Sequence, residues 1–410
     1  MNINEKTWRF IHEHADEDVR KVALQGRKDQ EIDLQVALQQ IAGRQTARKK
    51  LPSWAEVEGI VYPPHLNMEQ CSSEQTARYK AQIVNCKWSN RKSFVDLTGG
   101  FGVDFYWMSQ GYVERTYVEQ NADLCDLVEQ NFRSLHHSCN VCCSNAAPFL
   151  KEMPHASLVF LDPARRNEHG GRTYGISDCT PNVLELMPLL LTKAERVLLK
   201  LSPMLDWRKA VDDLQHPSPN VSSVHIVSVN NECKELLIEI RKDFVGELRV
   251  VCVNLLPNGE QQVFSVGGQP PCTTPTGDSP LSISHFSFLI SHYLYEPNAS
   301  IMKAGCFDEL EQRYPVRQVA SNSHLFLSSH EIDDFPGRRF QIQSISSMNK
   351  KEINLRISSI KSANIAVRNF PMSAEQLRKK LKLKDGGSTY IFATSLADGE
   401  HKLFICRKIG

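Results

Sequence analysis

An aspartate, two glycines and a glutamate in the first third of the chain have the types and spacing of a nucleoside-binding site. Asp96 ends an apolar stretch, and Gly100 and Gly102 follow it as in a sharp turn from a strand into a helix. Glycine permits positive φ and lets a ligand approach the backbone where a Cβ would intrude. Glu119 follows this loop at about the 20-residue spacing at which a carboxylate commonly binds ribose hydroxyls. We therefore expect a nucleoside-type ligand across the tip of a parallel sheet, with a tight turn that holds no ligand as the alternative.

The residues that follow the glycines exclude two common nucleotide-binding loops. A phosphate-binding NTPase loop ends in Gly-Lys-Ser/Thr, whereas Gly102 is followed by Val103 and Asp104, whose carboxylate would repel phosphate. A dinucleotide fingerprint needs a third glycine, and Phe105 occupies that position. The remaining pattern resembles motif I and the downstream acidic residue of class I S-adenosylmethionine-dependent methyltransferases. Because that cofactor is a cation, an acidic loop suits it.

The resemblance implies S-adenosyl-L-methionine as the cofactor and a defined set of residues that bind it. The residues that we expect to contact the cofactor are Asp96, Thr98, Gly100, Gly102, Glu119, Asn145 and Asp162.

Apolar runs alternate with helical stretches after residue 86, which predicts a doubly wound parallel sheet of the Rossmann-like, seven-stranded type. The expected strands cover residues 94–96, 117–119, 139–145, 157–162, 196–201, 221–229 and 235–240, and the last two are candidates for a hairpin. The expected helices between them include residues 103–110, 122–134 and 181–192. Ligands in such sheets bind at the carboxyl ends of the strands. The candidate residues Gly100, Glu119, Asn145, Asp162 and Lys200 all lie at such ends.

The segment that begins at Asp162 is the predicted place of the chemistry. Asp162-Pro163 resembles the start of motif IV of amino-group methyltransferases, where a side-chain oxygen and a backbone carbonyl accept hydrogen bonds from the target NH₂. The proline fixes the turn. Ala164 and Arg165 replace the second proline and the aromatic residue of that motif. Arg165 could stack on a base or bind a phosphate, or it could be an exposed surface cation.

A similar loop occurs in RNA methyltransferases that act on uracil C5, which need a cysteine nucleophile just after the fifth strand. This chain has Lys200 and Ser202 there and no cysteine, so the sequence disfavours that mechanism. We expect Asp162, Pro163, Arg165 and Lys200 to form the catalytic site. Alignment of acceptor, methyl and sulfur would supply most of the rate. Asp162 would orient the acceptor, and Lys200 would either hold a substrate phosphate or cap its strand.

Composition indicates an intracellular protein whose overall charge is nearly neutral, which argues against a strongly basic nucleic-acid-binding protein. The 410 residues include 48 basic and 47 acidic side chains, which leaves room for a local basic patch only. The length predicts two to four domains. The N-terminus lacks an apolar signal core, and no apolar run is long enough for a membrane span. The twelve cysteines do not have the spacing of a disulfide framework. Cys139 and Cys142 have no second cysteine pair at zinc-ligand spacing to accompany them. We therefore expect a cytoplasmic protein without membrane or metal, and we leave the oligomeric state open.

Two basic segments outside the sheet are candidate RNA contacts. Arg44 lies in a basic stretch of the N-terminal region, and Arg378, Lys379 and Lys380 lie on a helix that begins with a capping box at Ser373. A basic helix on a small sheet is a plausible phosphate-binding surface. The alternatives are a solvated helix face for Arg44 and lysines that complement the helix dipole for the others.

The combined motifs resemble a bacterial family of class I methyltransferase-like proteins with a ferredoxin-like insert and a C-terminal THUMP-like domain, common in Bacteroidetes. The segments that carry the resemblance are residues 70–77, 96–102, 162–166, 200–203, 232–236 and 368–371. Because THUMP domains bind RNA, the resemblance also implies an RNA substrate such as tRNA or rRNA. The domains that we expect are an N-terminal helical region (1–85), a methyltransferase domain (86–243), a ferredoxin-like α+β domain (244–340) and a THUMP-like domain (341–410).

Three functions remain open at this point. The first is a methyltransferase that modifies a base nitrogen in RNA. The second is a non-catalytic RNA-binding protein that retains a cofactor pocket, and the third is a small-molecule methyltransferase.

Overall fold

The structure, a computed structural model, divides into two compact units. It describes residues 3–24, 31–85, 90–165, 175–215, 220–268, 292–396 and 398–409. Unit 1 consists of Met1–Val224 and Glu235–Leu248, and unit 2 consists of His225–Lys234 and Arg249–Gly410. Within the described ranges, no helix combines the length and apolar character that crossing a bilayer requires.

Unit 1 begins with the helical region that the sequence predicts. Its helices are α1 (Glu5–Glu13), α2 (Val19–Leu24), α3 (Leu34–Lys50), α4 (Pro52–Ala55), α5 (His65–Gln70) and α6 (Glu74–Asn85). The side chain of Asp33 caps α3 by accepting a hydrogen bond from the Val36 amide at 3.1 Å. Ser73 caps α6 in the same way, through the Thr76 amide at 3.2 Å.

A sheet with intervening helices follows, most of it within unit 1. Its strands are β1 (Ser93–Asp96), β2 (Glu114–Glu119), β3 (Asn140–Cys143), β4 (Ala156–Leu161), β5 (Ala164–Arg165), β6 (Cys179–Thr180), β7 (Ala194–Leu201), β8 (Val221–Val229) and β9 (Glu232–Arg241). The α-helices are α7 (Val103–Met108), α8 (Ala122–Ser134), α9 (Ala146–Glu152), α10 (Val183–Lys193) and α11 (Trp207–Gln215). The strands β5 and β6 form a separate two-stranded sheet.

Seven strands of the nine-stranded main sheet lie in the order β3-β2-β1-β4-β7-β9-β8. The strand β1 pairs in parallel with β2 and β4, and β4 pairs in parallel with β7, whereas β9 runs antiparallel to β7. Every residue of β1 and β4 is buried, as expected of strands covered on both faces. These features confirm the predicted α/β, Rossmann-like, seven-stranded fold. One detail differs: β3 ends at Cys143, and Asn145 precedes α9 as its N-cap residue rather than ending the strand.

Unit 2 is a smaller α+β region. Its further strands are β10 (Arg249–Leu255), β11 (Gln261–Val266), β12 (Tyr293–Pro297), β13 (Arg317–Gln318), β14 (Phe326–Ser328), β15 (Gly337–Ser347), β16 (Asn364–Arg368), β17 (Thr389–Ser395) and β18 (His401–Ile409). Its helices are α12 (Ala299–Ala304), α13 (Phe307–Arg313), α14 (Lys350–Ile357) and α15 (Ala374–Leu381). The strands β10 and β11 pair as the antiparallel hairpin that Asn258-Gly259 predicts, with Gly259 at φ 86°.

A seven-stranded sheet in the order β13-β14-β12-β15-β18-β17-β16 organises the rest of unit 2. Alternate residues of its strands contribute to two hydrophobic clusters. Ile357 of α14 and Leu377 of α15 belong to the same cluster, so both helices pack on one face of the sheet. The predicted capping box of α15 is confirmed, because the Ser373 hydroxyl accepts from the Gln376 amide at 3.2 Å and the Gln376 side chain accepts from the Ser373 amide at 2.9 Å.

Candidate functional site

The parallel strands of unit 1 bring most of the predicted site residues to one edge of the sheet. Asp96 is the last residue of β1 and pairs with Phe160, so Asp162 lies just beyond the end of β4. Leu161 pairs with Leu199 of β7, which places Lys200 level with Asp162. This register explains how residues as far apart in the chain as Asp96 and Lys200 meet at the carboxyl ends of the strands, where ligands of such sheets bind.

The glycine loop after β1 has the backbone that the sequence predicts. Gly100 has φ 54° and Gly102 has φ 80°, in the left-handed region that favours glycine. A Cβ at Gly102 would also lie 2.9 Å from Cζ of Phe132, so the start of α7 approaches α8 too closely for any side chain. The loop therefore leaves its backbone open to a ligand on one side while it packs tightly on the other.

Glu119, at the end of β2, fixes the position of this loop. One carboxylate oxygen, Oε2, accepts a hydrogen bond from the Gly100 amide at 3.0 Å. The other, Oε1, accepts from the Asn121 amide at 2.9 Å, just before α8. Each oxygen has a second lone pair, so the carboxylate can accept further hydrogen bonds from ligand hydroxyls.

Thr98 joins the glycine loop to the Asp162 segment. Its hydroxyl accepts a hydrogen bond from the Asp162 amide at 2.6 Å and lies 3.5 Å from Oδ1 of Asp96. The Thr98 amide donates to the same Oδ1 at 2.9 Å. One residue thus ties together the two predicted halves of the site.

Asp96 is buried and carries a carboxylate oxygen without a hydrogen-bond donor. Its Oδ2 has no partner among the residues that the structure describes. Burial raises the pKa of Asp96 well above its usual value, and the negative charges of Asp104, Asp162 and Glu119 raise it further. This edge of the sheet therefore has an excess of carboxylates, which favours a positively charged ligand.

Lys200 forms an ion pair with Asp162. Only 12% of the lysine side chain is exposed, whereas 35% of the Asp162 side chain is exposed. Burial opposes the charge of Lys200, but Asp162, Asp104 and Glu235 outweigh it and raise the pKa of the lysine. Lys200 thus stays charged, and its ammonium group contacts the carboxylate of Asp162, the residue predicted to orient the methyl acceptor.

A second buried lysine, which the sequence did not reveal, completes the charge arrangement. Lys80 is fully buried, and its Nζ lies 3.1 Å from Oδ1 of Asp104 and 2.5 Å from Oε2 of Glu235. It also donates to the Ser72 hydroxyl at 3.1 Å, and that hydroxyl lies 2.7 Å from Oδ2 of Asp104. We call Ser72, Lys80, Asp104 and Glu235 the Lys80 cluster. It ties α6, α7 and β9 together next to Lys200.

The charges of the Lys80 cluster shift the acidity of its two carboxyl groups in opposite directions. Burial raises the pKa of Asp104, although Lys80 and Lys200 counteract it. Glu235 is also buried, but Lys80 and Lys200 prevail there and lower its pKa. Glu235 could have been suspected as an acid that precedes the apolar run of β9. Nothing in the local sequence marks Lys80.

Three predicted residues are less closely connected to this site. Asn145 is exposed at the start of α9, and Pro163 is buried directly after Asp162. The backbone of Arg165 pairs with Cys179 in the small sheet. Its side chain lies outside what the structure describes, as do residues 166–174, so the role expected of Arg165 stays a prediction.

The predicted RNA-contacting residues fall into both units. Arg44 is half-buried in α3 of unit 1. In unit 2, Arg378 forms an ion pair with Asp385 and is 26% exposed, whereas Lys379 is 77% exposed and lies 3.0 Å from Glu375. Lys380 is also exposed. Lys379 and Lys380 are therefore the more accessible cations of α15.

Comparisons with known proteins find two domain models that match within unit 2 and one solved structure that is similar over the full length. Residues 293–336 match a family model described as a ferredoxin-like domain, and residues 337–408 match one described as THUMP domain-like. A crystal structure titled "putative methyltransferase" from Porphyromonas gingivalis W83 is 28% identical, covers 100% of both chains and has a TM-score of 0.83. No curated protein matches the chain in sequence.

Two further solved structures are similar to part of the chain. One is TrmK of M. capricolum in complex with S-adenosyl-homocysteine, at 13% identity, 41% of this chain, 68% of that chain and a TM-score of 0.30. The other is an rRNA methylase from Streptococcus thermophilus, at 11% identity, 41% of this chain, 94% of that chain and a TM-score of 0.31. The full-length similarity to the Porphyromonas protein and the two domain matches confirm the predicted resemblance. The chain is thus similar over its whole length to a protein described as a methyltransferase, and its C-terminal part matches ferredoxin-like and THUMP domain-like models.

Proposed function

We propose that the protein is an S-adenosylmethionine-dependent methyltransferase that acts on a base nitrogen in RNA, in the cytoplasm. The observation that carries the proposal is the hydrogen-bonded connection from Asp162 through Thr98 to Asp96. It holds the acceptor loop and the cofactor loop in a fixed relation, as a direct transfer between two bound molecules requires.

The chemistry of the site fits the cofactor. Asp96 has a raised pKa and a carboxylate oxygen that lacks a donor, so a nearby cation would stabilise its ionised form. S-adenosylmethionine carries two such cationic groups, a sulfonium and an ammonium. The residues that would hold it are Asp96, Thr98, Gly100, Gly102, Glu119, Asn145 and Asp162. When bound, the cofactor supplies an activated methyl group on its sulfonium sulfur.

The residues of the chain have simple tasks in such a transfer. The Asp162 carboxylate would accept a hydrogen bond from the acceptor nitrogen and stabilise the positive charge that develops on it. Pro163 would hold the turn, and the amide of Asp162 anchors the loop to Thr98. Lys200 orients the carboxylate through their ion pair. Arg165 would contact the base or a phosphate of the substrate.

An RNA substrate is supported by the THUMP domain-like match and by exposed lysines on α15. We propose Arg44, Arg378, Lys379 and Lys380 as phosphate contacts. Ser202 follows β7 where a uracil C5 methyltransferase would need its cysteine, so a nitrogen acceptor is preferred. The domain boundaries given above, at residues 85, 243 and 340, are part of this proposal.

The ion pair between Lys200 and Asp162 favours one alternative function. A carboxylate that is already neutralised is a poorer acceptor for a substrate amine, as in an RNA-binding protein that retains a cofactor pocket without catalysis. A small-molecule methyltransferase would leave the lysines of α15 without a role.

Mass spectrometry of tRNA and rRNA from a deletion strain separates these functions. We expect one methylated nucleoside to disappear, and to return when the wild-type gene is restored but not with Asp162→Asn. That variant keeps the backbone amide that donates to Thr98, so its cofactor affinity should fall much less than its rate of methyl transfer. An unaltered nucleoside profile, together with cofactor and RNA binding by the purified protein, would favour the non-catalytic alternative.

A further inference from the structure

Two cysteine thiols lie against the backbone of the segment that carries Glu119. Cys125 is in the first turn of α8, and its thiol donates to the Glu119 carbonyl at 3.4 Å. Cys143 ends β3 and pairs with Glu119 in the parallel register of β2 and β3. Its thiol donates to the Gln120 carbonyl at 3.9 Å, and the two thiols lie near enough to interact.

The two thiols differ in their accessibility. Cys143 is exposed, whereas Cys125 is 5% exposed. Burial and the contact with Cys143 raise the pKa of Cys125 to about 12, so Cys125 is a poor first nucleophile. An exposed thiol and a buried thiol on neighbouring carbonyls of one segment have the arrangement of an attacking and a resolving cysteine.

We propose that Cys125 and Cys143 form an oxidant-sensitive pair, which a hydroperoxide converts into a disulfide that weakens cofactor binding. The Cys143 thiolate attacks one peroxide oxygen, the O–O bond breaks, and a sulfenic acid and one water form. The Cys125 thiol then attacks the sulfenic sulfur, the S–S bond forms, and a second water leaves. The two thiols lose two electrons and two protons, and hydrogen peroxide is reduced to two waters.

The expected effect on the cofactor follows from Glu119 and rests on the proposed function. A disulfide brings the sulfurs to about 2.05 Å, which withdraws both thiols from the carbonyls of Glu119 and Gln120. The Glu119 side chain holds the Gly100 amide and the start of α8. A shift of this segment therefore moves both the glycine loop and the carboxylate that would bind the ribose.

The first test is covalent and independent of the cofactor. The full-length protein is treated with hydrogen peroxide, digested without reduction and analysed by mass spectrometry. We expect a linked pair of peptides containing Cys125 and Cys143 that disappears on treatment with dithiothreitol. Cys142, the neighbour whose side chain alternates to the other face of β3, provides a matched control variant, Cys142→Ser. Failure to detect the 125–143 link, or preferential linkage to Cys139 or Cys142, would overturn the proposal.

The second test measures the affinity for S-adenosyl-homocysteine by calorimetry before and after oxidation. We expect a loss of roughly fivefold or more, about 1 kcal/mol, in the wild type and in Cys142→Ser but not in Cys143→Ser. An unchanged affinity in a protein shown to be linked would refute the regulatory effect. If the reduced protein does not bind the cofactor product at all, the proposed function fails, while the result on the disulfide still stands.

Discussion

The amide of Asp162 donates a hydrogen bond of 2.6 Å to the hydroxyl of Thr98, a residue of the glycine loop 64 positions earlier in the chain. This contact directly joins the two halves of the proposed site, the glycine loop and the segment that begins at Asp162. It makes the position of the acceptor carboxylate depend on the loop that would hold the cofactor.

Replacement of Thr98 by valine tests this connection. Thr98→Val keeps the shape but removes the hydroxyl, which leaves the Asp162 amide without its acceptor at a cost of about 1–3 kcal/mol. We expect the rate of methyl transfer to fall more than the cofactor affinity. Thr98→Ser retains the hydroxyl and should recover most of the rate. Equal rates in the valine and serine variants would show that the hydrogen bond has no part in positioning.

The Lys80 cluster predicts a large stability difference between two lysines. Lys80→Met leaves Asp104 and Glu235 buried without their cation, so the free energy of unfolding should fall by roughly 3–5 kcal/mol. Lys209 is 60% exposed and pairs with Asp213 on α11, and Lys209→Met should cost less than about 1 kcal/mol. Urea unfolding at neutral pH measures both. Addition of Glu235→Gln to Lys80→Met should restore part of the loss, and a further loss would contradict the pairing.

Lys200 and Lys80 show what the sequence could and could not predict. The glycine loop, the strand ends and the capping box of α15 depend on neighbouring residues, and local patterns identified them. The contact between Lys80 and Glu235 joins residues 155 positions apart, and only the placement of β9 beside β7 creates it. Ser72 and Ser73 are adjacent serines just before α6, and the local sequence does not distinguish which of them caps the helix. Packing against Asp104 assigns Ser72 to the Lys80 cluster and leaves Ser73 as the cap.

The raised pKa of Asp96 predicts opposite pH effects on stability and on cofactor binding. Above the usual carboxyl pKa and below the raised one, the folded state holds a proton that the unfolded state has lost, so stability falls as the pH rises through this range. Asp96→Asn removes this fall, keeps the acceptor for the Thr98 amide and should stabilise the ligand-free protein above that range.

The affinity for the cofactor should depend on pH in the opposite direction, again because of Asp96. A cationic ligand favours the ionised carboxylate, so the affinity of the wild type should rise with pH while that of Asp96→Asn stays lower and flatter. Urea unfolding and calorimetry over a common pH series measure the two effects. If the Asp96→Asn protein were less stable than the wild type and bound the cofactor equally tightly, this account of Asp96 would be contradicted.

The lysines of α15 predict a specific change in the salt dependence of RNA binding. Lys379→Glu combined with Lys380→Glu should weaken binding and lower the slope of log K against log salt by about 2, or about one per lost phosphate contact. Lys350→Glu combined with Lys351→Glu, on the exposed start of α14, is the matched control in the same unit. Filter-binding assays over a salt series decide the matter. An unchanged slope in the α15 variant would remove this helix from the RNA-binding surface.

Calorimetric titration of the full-length protein with S-adenosylmethionine tests the central claim most directly. We expect saturable binding of one molecule per chain, weakened roughly tenfold or more by Glu119→Ala, about 1.4 kcal/mol. ATP and NAD should not bind at the same concentrations, because the carboxylates at the site repel phosphate. The absence of any heat with S-adenosylmethionine at millimolar concentration, or equally tight binding of ATP, would contradict the assignment of the glycine loop and with it the proposed function.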